Sequence, residues 1–169
     1  VFYAGIYSPI LKRKTVHNTV LGGIAGAMPA LIGWTAISNQ ITIEGIALFI
    51  IVFCWQPPHF WALALRLYED YQAANIPMAP NVIGNEYTKK QIMLWSLLTV
   101  ASTIAFFFVA SMGLIFIIVA ITTGLRFIYV SIQVSRGEHL EHTQTLWRYS
   151  TIYLSMIFGS MIIDEIYKF

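Results

Sequence analysis

The sequence predicts an all-α, polytopic membrane helix bundle, with about five full transmembrane helices behind an N-terminal helix stub. Three observations predict it. The 169-residue chain is 57% hydrophobic and only 11% charged, whereas a soluble domain is about a quarter charged. Its mean hydropathy is +0.68. Runs of about 20 apolar residues recur along its length, each long enough to cross a bilayer as a helix. The lipid bilayer is therefore the expected surrounding. The net charge of only +2 argues against nucleic acid as a partner.

The elements follow in order. Residues 1–9 open with Val1-Phe2-Tyr3-Ala4 and read as the end of an apolar helix already under way. That predicts a piece of a longer protein, and no signal peptide is visible. The first span is expected at about 19–37. Its small residues Gly22, Gly23, Gly26 and Ala27 let another helix approach closely, so packing is their expected role. The second span, about 45–67, carries Trp55-Gln56-Pro57-Pro58-His59-Phe60-Trp61. Its diproline is expected to break the helix ladder near residues 54–57, with the helix restarting beyond. Cys54, alone in the chain, excludes an internal disulfide and is expected to pack. The stretch Asn75-Ile76-Pro77-Met78-Ala79-Pro80 forbids a regular helix and is expected to fold back as a lid. Further spans are expected at about 91–112, 113–134 and 146–163. Short connections at 38–44 and 111–113 make the neighbours antiparallel. No internal repeat interrupts what reads as a single membrane domain, 1–169.

Charge predicts the orientation. Alternate loops hold Lys12, Arg13 and Lys14, then Arg66, Lys89 and Lys90, then Arg136 and Arg148. The opposite ends hold Glu44, Asp164 and Glu165, with Lys168 the one cation. Basic loops stay in the cytoplasm, or in the matrix of a mitochondrion, so the first set is expected there.

Several polar residues lie where lipid disfavours them. At about 100° per residue, Trp55, His59, Arg66 and Asp70 fall within roughly 60° of one another on one helix. This stripe would descend from the cytoplasmic surface, with His59 roughly 16 Å below Asp70. Glu69 and Asp70 could hold Mg²⁺ together with the oxygens of a diphosphate, or form a solvated pair beside Arg66. His59 could hydrogen-bond a substrate, act as a base, or be a satisfied core histidine. Arg126 lies well inside the fourth span, with Tyr129 and Gln133 at helical spacing on its face. That face is expected to point into the bundle and to pair with an anionic substrate or with Asp70; snorkelling to the interface is the alternative. Lys12 and Arg13 suit lipid headgroups or anionic substrate groups, and Asn18 could be a polar ligand or a helix cap. In Glu138-His139-Leu140-Glu141-His142 the two histidines could bind metal, but a hydrated loop is the ordinary reading.

Five stretches, in this order, resemble the UbiA-type intramembrane prenyltransferases, specifically their haem-farnesylating branch. They are Tyr7-Ser8-Pro9-Ile10-Leu11-Lys12-Arg13-Lys14-Thr15; Gly22-Gly23 with Gly26-Ala27, Pro29 and Gly33-Trp34; Trp55 to Ala64; Asp70-Tyr71 with Ile76-Pro77-Met78-Ala79-Pro80; and Tyr149-Ser150 with Tyr153-Leu154. The resemblance implies a nine-helix fold of which this chain matches the last five helices and the end of the fourth. It implies an enzyme that transfers a farnesyl group from farnesyl diphosphate, bound through Mg²⁺, to a vinyl group of haem B, giving haem O. Haem B is then a substrate, and the product feeds a haem A synthase or terminal oxidase assembly. The expected location is a bacterial or mitochondrial inner membrane. Residue by residue, it implies that Asp70 belongs to the second acidic motif and binds Mg²⁺-diphosphate. Glu69 stands beside it and Tyr71 in the same substrate-binding block. Lys12 and Arg13 match a basic loop for diphosphate or propionate, and His59 matches a branch-specific histidine on the haem side. Trp55, Phe60 and Trp61 are candidates for shielding an allylic cation.

Two departures qualify this. Ala74 stands four residues after Asp70, where related prenyltransferases carry a second aspartate. The first acidic motif should precede residue 1, so the chain is expected not to turn over alone. Two alternatives remain: a prenyltransferase for another acceptor such as a quinone precursor, and a non-catalytic transporter or haem-handling protein.

Overall fold

A computed structural model describes residues 18–74, 76–137 and 140–167. The N-terminal stub and its basic loop, with Lys12 and Arg13, lie outside the described residues, as do Glu138 and His139. Seven helices are described: α1 (Asn18–Ser38), α2 (Ile43–Arg66), α3 (Tyr68–Ala73), α4 (Ala79–Ile83), α5 (Asn85–Val109), α6 (Leu114–Arg136) and α7 (Leu140–Ile166). Four of them, α1, α2, α5 and α6, are long and apolar enough to cross a membrane. The fifth expected span, α7, has 27 residues, about 40 Å of helix. Its polar first turns and Asp164-Glu165 leave it less apolar than the other four.

All five expected segments appear as helices, four of them as candidate spans, but α5 and α7 each begin six residues earlier than apolarity predicts. Hydropathy marks only the part of a helix that lipid solvates, whereas the backbone ladder runs on into water. The polar first turns of α5 are tied by Lys89 Nζ to Glu86 Oε1 at 2.9 Å, a helical i,i+3 pair.

Helices α2, α5, α6 and α7 close a four-helix group in which each packs on two neighbours; α1 packs on α2 from outside. The interior holds Ile51, Ile92, Phe116, Phe127, Leu146, Tyr153 and Ile157, all fully buried. Phe127 stacks on Tyr153 with centroids 4.9 Å apart. Lipid and side chains are equally apolar, so hydrophobicity alone does not hold membrane helices together; small residues and polar ties do. Ser131 Oγ donates to Ser96 Oγ (2.8 Å), joining α6 to α5. Tyr153 OH donates to Thr103 Oγ1 (2.8 Å), joining α7 to α5.

The glycine block packs as expected, and its partner is Gln56. This buried side chain donates from Nε2 to the Gly23 carbonyl of α1 at 3.0 Å. A Cβ added to Gly26 would overlap Gln56 Oε1. Gly26→Ala is therefore expected to displace the amide and break the tie to Gly23, costing about 1 kcal/mol. Hydrogen exchange should then speed up in α1 and stay unchanged in α6 and α7; uniform protection would refute this lock.

The diproline does not break α2, which runs unbroken from Ile43 to Arg66. Proline's fixed φ is compatible with the helix, so the two prolines remove two N–H donors without ending it, and in membrane helices neighbours make up for such losses. Both rings are buried. The helix ends instead at Arg66, and Leu67 (φ −99, ψ 31) stands between it and α3. The predicted polar stripe is thus continuous to Arg66 and interrupted before Asp70.

After the irregular residues 76–78, α4 packs on α2 and α5, burying Ala79 and Pro80. Asn81 Nδ2 donates to the Tyr68 carbonyl at 3.4 Å. The α2–α5 connection therefore folds back over the helix ends.

At the other end of the bundle, Asp164 of α7 is buried and caps the start of α6. Its carboxylate accepts from the backbone N–H groups of Gly113, Ile115 (3.1 Å) and Phe116 (3.2 Å). These are the donors a helix start leaves unpaired, and a negative charge there also suits the helix dipole. The sequence marks Asp164 only as a charge at the acidic end of the bundle.

Candidate functional site

The candidate residues that the fold gathers lie along the seam of α2 and α7. Trp55 and His59 sit one turn apart on α2, so their rings stack, with centroids 4.5 Å apart and planes 22° apart. Ser150 of α7 faces both. Its carbonyl accepts from Trp55 Nε1 at 2.7 Å, and its Oγ lies 2.7 Å from His59 Nδ1. Trp147, one turn earlier on α7, places its ring 6.1 Å from the imidazole. His59 is half-buried and Phe60 beside it is exposed. About 10 Å of helix separates His59 from the end of α2 at Arg66.

Arg126 enters from α6. Its guanidinium carbon lies 5.1 Å from the centroid of the Tyr149 ring, a cation–π geometry. Tyr149 OH in turn donates to the Thr123 carbonyl at 2.9 Å. Among the described residues this face of α6 is open and packs against no other helix interior. Arg126 is exposed and Tyr129 is 60% exposed, while Gln133 Nε2 donates outward to Tyr129 OH at 3.2 Å. The inward stripe of α6 is Phe116, Ala120, Thr123, Phe127, Val130 and Val134. Those side chains fill the four-helix interior, so the guanidinium lies outside it, over an aromatic face.

Arg66, Glu69 and Asp70 are exposed at the α2–α3 junction, with Tyr71 half-buried beside them. Arg126 pairs with the Tyr149 ring and not with Asp70. Asn18 begins α1. Among the described residues, no group of three His, Cys, Asp or Glu side chains could hold a metal ion. Glu69 and Asp70 offer two open carboxylates. That fits Mg²⁺, which commonly takes one or two protein carboxylates and completes its shell with phosphate oxygens and water.

A separate cavity of about 250 Å³ lies near the same end of α2, lined by Val20, Trp61, Ala79, Ile83, Tyr87, Thr88, Gln91 and Trp95. Trp61 follows His59 by two residues, about 200° around the helix, so this cavity lies on the other side of α2. None of the candidate polar residues lines it. Cys54 is buried, as a packing residue should be.

Sequence reasoning gave no role to Gln56, Trp147, Tyr149 or Ser150. The available signal was that Tyr149-Ser150 lies in a stretch shared with the resembled family. Their partners lie far away in sequence, 95 residues in the case of Trp55 and Ser150.

Fold and site define a polytopic, helical integral membrane protein with an aromatic, histidine-bearing seam near one end of its bundle. The chain belongs to the UbiA prenyltransferase family, which it matches over residues 1–157. It is 41% identical over 165 residues to the protoheme IX farnesyltransferase of Bordetella avium, an overlap of 98% of this chain and 55% of that relative. It is 44% identical over 163 residues to that of Neorickettsia sennetsu, covering 96% and 53%. With that of Cutibacterium acnes the identity is 41% over 172 residues, covering 98% and 51%. The chain spans about half the length of the curated relatives it matches. No solved structure matches it.

Proposed function

We propose that the chain forms part of an enzyme that transfers farnesyl from farnesyl diphosphate to a vinyl group of haem B, giving haem O. The observation that carries this reading is the similarity of almost the whole chain to relatives that bear the name protoheme IX farnesyltransferase. The site chemistry agrees with it. Both reactants are greasy with anionic ends, so both can lie in the membrane with their charges at its surface.

In this reading Asp70, with Glu69, would hold a Mg²⁺ ion, which would supply positive charge to the departing diphosphate. Arg66 stands beside them, and Lys12 and Arg13 supply cations for diphosphate or propionate. The C–O bond to diphosphate breaks, and the allylic carbon bonds to the haem vinyl group. Water then adds at the other vinyl carbon and loses a proton, completing a hydroxyethylfarnesyl group. Aromatic faces at Trp55 and Phe60 shield the cation from early capture by water. His59 and Arg126 serve the haem side. The reaction end faces the cytoplasm or matrix, and the product passes to a haem A synthase or to terminal oxidase assembly.

The test is a reaction of the purified protein, expressed from its whole reading frame, with farnesyl diphosphate, Mg²⁺ and haem B. Farnesylated haem is expected. Product only with an aromatic quinone precursor would move the assignment to another acceptor. Absence of prenyl transfer to any acceptor would favour a transporter or haem-handling role.

A further inference from the structure

The proposed function leaves open what fixes the imidazole of His59, and the α2–α7 seam answers it. We infer that Ser150 is a positioning residue, holding His59 in the tautomer with its proton on Nδ1 and turning Nε2 out of the seam as a free lone pair. Ser150 has one hydroxyl proton, and its Oγ donates to the Trp147 carbonyl at 2.7 Å. That commitment leaves Oγ as an acceptor toward His59 Nδ1, 2.7 Å away. The Trp147 carbonyl that takes this proton has none to offer in return. The partner on this side of the ring therefore requires an N–H from His59.

The rest of the seam holds the ring in place. Stacking on Trp55 fixes its plane, and the Trp55 indole is anchored to the carbonyl of the same Ser150. Among the described residues Nε2 has no hydrogen-bond partner. A histidine held in this way donates nothing at its outward atom. Its available chemistry is to accept a proton or to coordinate an electron-poor metal centre, as second-partner hydrogen bonds commonly arrange for imidazole ligands. On the proposed function, that lone pair faces the haem substrate, and Ser150 acts on catalysis only through His59.

The test separates this inference from the function on which its consequence rests. Histidine side-chain ¹⁵N spectra of the detergent-solubilised protein read the tautomer directly, with no substrate present. The Nδ1–H form is expected in the native protein. Ser150→Ala removes the acceptor but keeps the carbonyl that anchors Trp55, so the variant should fold. It is expected to lose the single-tautomer signature, and Ser150→Thr is expected to restore it. In the farnesyl-transfer assay the same Ala variant should lose roughly 10-fold in turnover with little change in KM for farnesyl diphosphate. A native Nε2–H signature, or a tautomer unchanged by Ser150→Ala, overturns the inference whatever reaction the protein catalyses. The expected spectra without any farnesyl transfer would uphold the positioning role and strike only at the function.

Discussion

Asp70→Asn is expected to reduce farnesyl transfer by roughly 100-fold while leaving the protein folded and inserted. The magnitude is that of removing one group from the electrostatic clamp on a departing anion. The side chain is exposed on α3, which buries none of its residues, so the change should cost no more than about 0.5 kcal/mol of stability. Activity and stability therefore separate cleanly at this position. Product formation measured beside thermal unfolding in detergent makes the comparison. Undiminished product would remove Asp70 from any metal role. Glu69→Gln, one residue away, ranks the two carboxylates by the same pair of measurements.

Asp164→Ala is expected to have the opposite signature. It removes a buried acceptor from the N–H groups of Gly113, Ile115 and Phe116 at the end of the bundle far from Asp70. Three donors lose their partner at once, so the loss should be about 3 kcal/mol, above the usual range for a lost cap. Asp164→Asn keeps one acceptor oxygen and should cost less. Gly113→Ala should also destabilise, because its Cβ would meet Asp164 Oδ1 at 2.8 Å. Unfolding midpoints for the three variants test this order. A midpoint unchanged by Asp164→Ala would show that water or lipid headgroups satisfy the start of α6 equally well.

These two aspartates also show how far the chain could be read before it was folded. Asp70 stands out as a candidate in the sequence because it lies beside Glu69 at the end of an apolar run, within a shared stretch. Asp164 looked like another loop charge, and its role depends on α6 beginning directly opposite. The glycine block was legible as a packing face, since small residues have few other uses in a membrane helix. Its partner Gln56 was not, although it sits inside the most distinctive motif. Helical spacing does not say which neighbour Arg126 meets: intramembrane charges usually face a bundle interior, and the interior of this four-helix group is filled by Phe127 and Tyr153. The Tyr149 ring receives the guanidinium outside it.

The sequence by itself determined the class of protein, the number and approximate place of the long helices, and the residues that lipid would not hold without a reason. Each of these follows from how single residues partition between lipid and water, which needs no knowledge of neighbours. Only the tertiary structure decided that α2 runs through its diproline, that Arg126 lies over the Tyr149 ring, that Asp164 caps a distant helix, and that Ser150 meets His59 across 91 residues of chain. Those outcomes depend on which surface a second helix presents at the same depth. Partition along one chain carries no record of that.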